Sequence, residues 1–228
     1  MSKNSLNLTK DPISVLFVKI AIPSSVGTVF MTLYNLVDTY FAGKISAEAL
    51  AALAQTFPVY FIIIAIGVGL SIGTTSLIAN ALVEKDQKKG SYYLAQSIGL
   101  SIITSILVSL VGIYFGPSII LLMNDSEVTM KLSMEYLNII FLGSIFILVQ
   151  MTMNSSLSAI GDTKSNRNVL IVSFFLNILL NPLFIFGYGI IPAMGIKGIA
   201  VSTITSQALG TFYIIFKVYK TEFKEYPK

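Results

Sequence analysis

The 228-residue chain contains no cysteine, no histidine and no tryptophan. Without Cys there is no disulfide and no thiolate nucleophile; without His or Cys, zinc sites of the usual kind, haem ligation by His and Ser-His or Cys-His nucleophiles are excluded as well. Charge is scarce too. Asp, Glu, Lys and Arg make up 11% of the residues, against about 25% in an ordinary soluble domain. Hydrophobic residues make up 54%, and the mean hydropathy is +0.80. That balance leaves too little polar surface for a soluble globule and excludes a water-soluble enzyme.

What is present is a series of long runs almost free of charge. They are residues 20–42, interrupted only by Asp38, then 49–83, 91–124, 136–161, 168–196 and 198–216. At about 1.5 Å per helical residue each can cross a hydrocarbon core about 30 Å thick. Barrel strands would alternate polar and apolar residues, and an open sheet cannot span lipid. The expected fold is all-α: a polytopic membrane protein with six transmembrane helices. The second and third runs exceed one span, so those helices are expected to bend, tilt or extend beyond the lipid.

Between the runs lie turn and cap residues. Glu84 to Gly90 reads as a charged loop, Asn124-Asp125-Ser126 as a cap, and Gly161-Asp162-Thr163 and Gly187-Tyr188-Gly189 as loops. Residues 1–12 are polar, and the first apolar run is too long for the core of a cleavable signal peptide. The expected division is a tail at 1–12, a six-helix unit at 13–216 and a second tail at 217–228.

The basic residues sort by side. Both tails and the loops after helices 2 and 4 share one face. They hold Lys3, Lys10, Lys19, Lys85, Lys88, Lys89, Lys164, Arg167, Lys217, Lys220, Lys224 and Lys228, twelve of the 15. Only Lys44, Lys131 and Lys197 fall on the other face. Cytoplasmic loops are enriched in Lys and Arg, so both termini are expected in the cytoplasm of a multi-pass cell-membrane protein, inner or plasma. The sorting also accounts for the net charge of +4 without nucleic-acid binding.

Polar groups inside the spans mark the candidate site. Asp38 is the one carboxylate well inside a predicted span, and a carboxylate at the centre of a span costs about 2.5–3.5 kcal/mol on insertion scales. It reads either as a cation or proton site or as a helix-end group reaching the headgroups. Tyr34 lies one turn earlier on the same face. Gln150 and Asn154, Asn177 and Asn181, and Thr203 and Gln207 repeat that i, i+4 spacing. Their oxygens with Asp38 suit a hard cation; each pair alone also suits interhelical hydrogen bonding. Pro23, Pro58 and Pro182 are expected to kink their helices, with irregular backbone around Asn181. Gly67, Gly69 and Gly73 predict close packing of helix 2.

Three stretches resemble the multidrug and toxic compound extrusion (MATE) family. The first is Ala21-Ile22-Pro23, Leu33 to Gly43 and Ala49 to Leu53; the second Leu157 to Lys164; the third Leu176 to Phe186, continuing through Gly195 to Thr203 and Ser206-Gln207. They occur in the family's order and cover nearly the whole chain. The resemblance implies a secondary active transporter, not an enzyme, exporting small organic cations or other xenobiotics against Na⁺ or H⁺. It needs no cofactor beyond the coupling ion. It implies a twelve-helix fold of two lobes, of which this chain supplies the N-terminal one, with a second six-helix lobe and the lipid bilayer as partners. It implies a cation or proton site at Asp38, Tyr34, Asn177, Asn181, Thr203 and Asn154, Na⁺ at Asp38 and Asn177, and a hinge at Pro23.

The chain departs from the family pattern in places. Many members carry Asp before the helix 5 proline, where this chain has Asn181, and Arg and Glu around the loop after helix 4, where it has Ser158 and Ile160. Lys217 to Lys228 resembles the linker between lobes, so the second lobe is expected from another chain or a longer polypeptide. Two rival readings are a lipid-linked oligosaccharide or polysaccharide flippase and a non-transporting packing subunit. Flippases carry basic residues along a central groove, and none lies deep in these spans. A membrane-embedded enzyme is the weakest reading, because the spans lack His, Cys and a paired carboxylate.

Overall fold

The computed structural model describes residues 12–123 and 126–220. Lys3, Lys10, Asn124, Asp125, Lys224, Lys228 and most of both expected tails lie outside the described residues. Six long helices are present: α1 (Ile13–Ile45), α2 (Ala47–Val83), α3 (Gln87–Leu121), α4 (Glu127–Ala159), α5 (Thr163–Phe186) and α6 (Ile196–Tyr219). Each is long and apolar enough to cross a membrane. Among the described residues there is no strand, only one isolated bridge between Tyr188 and Ile191.

Short turns with polar caps join the helices. Ser46, Asp86, Ser126 and Asp162 each accept a hydrogen bond from the backbone N–H three residues on, which satisfies a donor that the first helical turn leaves open. These caps move several boundaries from their expected places. Gly90 is buried inside α3 rather than ending a loop, because Asp86 starts the helix earlier. α4 begins at Glu127, nine residues before the charge-free run. It carries Lys131 and Glu135, and Glu135 pairs with Lys197 at 3.5 Å. α5 ends at Phe186, directly before the loop expected at Gly187-Tyr188-Gly189, where Gly187, Gly189 and Gly195 take positive φ and the segment folds back. Met194 N–H donates to Phe184 O and Gly195 N–H to Ile185 O there.

Two core clusters fix the up-and-down order. Ile78, Leu94, Leu157, Val169, Ile214 and Val218 meet at one end; Ala42, Ala49, Ile120, Tyr136, Ile185 and Ile196 meet at the other. The described basic residues at the first end are Lys19, Lys85, Lys88, Lys89, Lys164, Arg167, Lys217 and Lys220, in or next to the helix ends that meet there. Helix α4 runs through the middle and packs on α2, α3 and α6, while α1 packs on α5. Its buried face is rich in small and hydroxylated residues, including Ser133, Gly143, Ser144, Thr152, Ser155 and Ser156. Small residues let membrane helices approach closely, and hydroxyls add bonds between them. Ser109 Oγ donates to Phe141 O at 2.5 Å, and Thr211 Oγ1 to Phe146 O at 3.0 Å.

The prolines and glycines divide. Just before Pro23, residues Phe17–Ala21 form a π-helical turn. α2 and α5 run continuously through Pro58 and Pro182, so the irregular backbone expected around Asn181 is absent. Lipid-facing helices re-satisfy the groups that proline frees by small local adjustments. Gly67 packs tightly, its hydrogen facing Met151 and Leu148. Gly69 and Gly73 face open space, which corrects the close packing expected of that pair. Their spacing puts them on the outward face of α2, away from α4.

Candidate functional site

Asp38 is buried, 6% exposed, where α1 meets α5 and α6. Asn177 and Asn181, one turn apart on α5, each donate a side-chain N–H to Asp38 Oδ1 at 2.8 Å. Asn181 also donates to Asn177 Oδ1 at 3.1 Å. From α6, the Thr203 hydroxyl donates to Asp38 Oδ2 at 3.2 Å. Five predicted site residues are thus one cluster: Asp38, Asn177, Asn181 and Thr203 by hydrogen bonds, and Tyr34 by position. The Tyr34 hydroxyl is buried beside Asn177 and Thr203 without a hydrogen bond of regular geometry. The reading of Asp38 as a helix-end group reaching headgroups does not fit this burial.

Two one-turn spacings make this geometry. Tyr34 and Asp38 are both buried on one face of α1, Asn177 and Asn181 on one face of α5, each pair spaced by one turn. A buried carboxylate is tolerated when hydrogen bonds compensate its lost hydration, and bonds to a charged group contribute about 1.5–3 kcal/mol each. Two oxygens of the cluster lack a partner, Asn181 Oδ1 and the Tyr34 hydroxyl. The cluster's carboxylate, hydroxyl and amide side chains can offer oxygens that suit a hard cation, but as placed both asparagines turn N–H groups to Asp38. Among the described residues no group of three His, Cys, Asp or Glu could hold a metal ion, so a transition-metal centre has no ligands here.

Two cavities adjoin the cluster. The smaller, about 70 Å³, reaches Asp38 and Thr203 and is lined also by Tyr34, Thr56, Tyr60 and Tyr136. The larger, about 270 Å³, is lined by amides and hydroxyls mixed with apolar groups, among them Gln150, Asn154, Asn166, Gln207, Met31 and Met151. Among the described residues no charged one lines it. The single polar cavity that the four sequence pairs predict is therefore two. Asn154 and Gln207 line the larger one, and Asn154 makes no bond to Asp38; its Oδ1 is buried without a partner. Gln150 Oε1 accepts from the Thr211 hydroxyl at 3.4 Å.

Tyr60 and Tyr136, the tyrosines that α2 and α4 bring to Asp38's cavity, are not among the site residues expected from the sequence. Thr56 and Tyr60 carry the same i, i+4 spacing as the chosen pairs. Counting tyrosine among the polar residues of the spans would have found them.

The MatE family model matches residues 23–183. The FAD transporter of Shewanella oneidensis is 28% identical over 204 residues, covering 90% of this chain and 45% of that protein. The multidrug export protein MepA of Staphylococcus aureus is 27% identical over 209 residues, covering 91% and 46%. A solved structure of a multidrug resistance MATE family transporter of the MOP superfamily, in an outward-facing conformation, superposes with a TM-score of 0.82 at 27% identity, covering 93% of this chain and 48% of that one. The chain spans about half the length of the curated relatives it matches. The match runs through Pro23, Tyr34, Asp38, Asn177 and Asn181, and it covers α1 to α5 of the six apolar helices. The chain belongs to the MatE family, whose members are transporters and not enzymes.

Proposed function

We propose that this chain is the six-helix N-lobe of a cation-coupled antiporter, in which Asp38 carries the coupling ion, Na⁺ or H⁺. The observation that supports this reading is the buried carboxylate held by Asn177, Asn181 and Thr203 from two other helices. In the proton-coupled form Asp38 takes the proton and keeps its neighbours as partners. In the Na⁺-coupled form the asparagine side chains turn their carbonyl oxygens toward the ion. Asp38 and Asn177 hold it, with Thr203, Asn181 and Tyr34 completing the oxygen set. Asn154 serves the adjoining cavity.

Exchange needs a moving part. The π-helical turn at Phe17–Ala21, next to Pro23, makes the start of α1 the natural hinge, because both interrupt the regular hydrogen-bond ladder. The Thr163 hydroxyl donates to Ile20 O at 3.5 Å, so this turn is tied to the start of α5. A change of charge at Asp38 alters the grip of α5 and α6 on α1, and α1 bends at the hinge.

The substrate in this reading is a small organic cation or another xenobiotic, held partly in the larger cavity and partly by a second lobe. Phe57 and Phe61 on the exposed face of α2, 55% and 59% exposed, would meet that lobe or lipid. The protein sits in the cell membrane with residues 13–216 spanning it. Both tails, 1–12 and 217–228, face the cytoplasm with the Lys-rich end. The uncharged lining of the larger cavity disfavours the flippase reading, which calls for basic residues in the groove.

Dye efflux from proteoliposomes tests the proposal. Efflux of a cationic dye should follow an imposed Na⁺ or pH gradient when the chain is present together with its second lobe, and stop with Asp38→Asn. Gradient-driven efflux that survives Asp38→Asn would show that the coupling site is elsewhere.

A further inference from the structure

The two cavities have three side chains in common. Tyr34 and Asn35 of α1 and Tyr60 of α2 line both the small space at Asp38 and the larger one beside it. The small space, about 70 Å³, takes water or one small cation and not a drug-sized molecule, which needs roughly 300 Å³ or more. The larger, about 270 Å³, takes much of an amphipathic ligand through amide, hydroxyl and thioether contacts. The division of labour follows from size, and the wall between them is aromatic.

We propose that Tyr60 is a positioning residue that couples the two cavities: its ring, with Tyr34, is the shared wall through which a ligand in the larger space changes cation binding at Asp38. The inference rests on the reading of Asp38 as the ion site. A packed aromatic wall shifts between discrete positions rather than deforming smoothly. A ligand that pushes the Tyr60 ring toward Asp38 shrinks the ion's space, and an ion that draws Tyr34 inward reshapes the ligand's. Coupling of this kind is reciprocal. The groups that face Asp38 are three tyrosines, Tyr34, Tyr60 and Tyr136, from α1, α2 and α4, and the uncharged Asn177, Asn181 and Thr203 from α5 and α6. Among the described residues no second carboxylate and no basic side chain lines the small cavity, so the effect of the wall reaches Asp38 without a competing charge.

The test is the affinity of rhodamine 6G for the purified protein, read by fluorescence polarisation. It is measured at low and high Na⁺, and at two pH values in the absence of Na⁺. In the natural protein one of these changes should move the dye Kd by about five-fold or more, within the usual range of coupling between sites. Tyr60→Phe keeps the ring and should keep that ratio within two-fold. Tyr60→Ala and the bulkier Tyr60→Leu should bring it close to one while dye binding persists. A ratio unchanged in both variants, or a natural protein whose dye affinity ignores both ions, overturns the proposal. Asp38→Asn separates the two levels. A ratio lost there but intact in the Tyr60 variants removes only the role of Tyr60. A ratio that survives Asp38→Asn removes the ion-site reading itself.

Discussion

Asn181 donates its side-chain N–H to Asp38 Oδ1 across 2.8 Å, from the position directly before Pro182 on α5. The amide does what a carboxylate cannot: it stabilises ionised Asp38 without any bound cation. Asn177, Asn181 and Thr203 together hold ionised Asp38 by hydrogen bonds, and exchanging Asn181 for an acid should change that.

With Asn181→Asp, two carboxylates share the site and cannot both stay ionised side by side without a cation. The variant should melt at a lower temperature than the natural protein in Na⁺-free buffer at neutral pH. Added Na⁺, or acidification to about pH 5 near the ordinary carboxylate range, should recover more of its stability than of the natural protein's. Thermal melting in detergent across Na⁺ and pH measures this directly.

Thr203→Val removes the one donor to Asp38 Oδ2 at nearly constant volume. The expected loss is about 1.5–3 kcal/mol of stability, the worth of a hydrogen bond to a charged group. Cation affinity should fall as well, because an oxygen ligand goes with it. Thr203→Ser keeps the hydroxyl and should restore most of both. Melting curves and Na⁺ titrations of the three proteins distinguish lost chemistry from lost shape.

Two glycines of the helix contacts differ in what stands against them. A methyl group on Gly143 would meet the Ile204 side chain first, and Ile204→Ala should rescue Gly143→Ala. A methyl group on Gly198 would lie 2.6 Å from the backbone at Phe184 and Ile185, which cannot rotate away. Gly198→Ala should therefore destabilise more than the roughly 1–3 kcal/mol typical of overpacking, and no side-chain truncation should rescue it. Paired unfolding measurements on single and double variants decide the matter.

The cap of α5 gives a simpler expectation. Asp162 accepts from the Ser165 N–H at 3.0 Å and from its hydroxyl at 2.7 Å. Asp162→Ala should cost about 1 kcal/mol, and Asp162→Asn much less. Hydrogen exchange at the first turn of α5 should rise in the alanine variant alone.

Much of this was legible from the chain. Charge-free length marks a membrane helix because lipid excludes both charge and unpaired backbone, so all six spans could be placed by counting. Asp38 stood out for the same reason, and the one-turn spacing of Asn177 and Asn181 put both on the face that meets it. The ends of the helices were harder to read. α4 begins at Glu127 behind the expected cap at Ser126, but the contact of its Glu135 with Lys197 across the fold joins residues 62 positions apart in the numbering. The continuity of α5 through Pro182 depends on packing that no local rule contains. Splitting the polar residues between two cavities, and the tyrosine wall between them, required knowing how α2 lies against α1. Periodicity within one helix does not say which neighbour its face meets.

Cation binding by the purified protein bears most directly on Asp38. Isothermal titration with Na⁺ at two pH values, in buffers of different ionisation enthalpy, reads both Na⁺ uptake and proton release. The natural protein should bind one Na⁺ or exchange one proton on this lobe, and Asp38→Asn should do neither while keeping its fold. An Asp38→Asn protein that binds Na⁺ and exchanges protons as the natural one does would contradict the assignment of the coupling site.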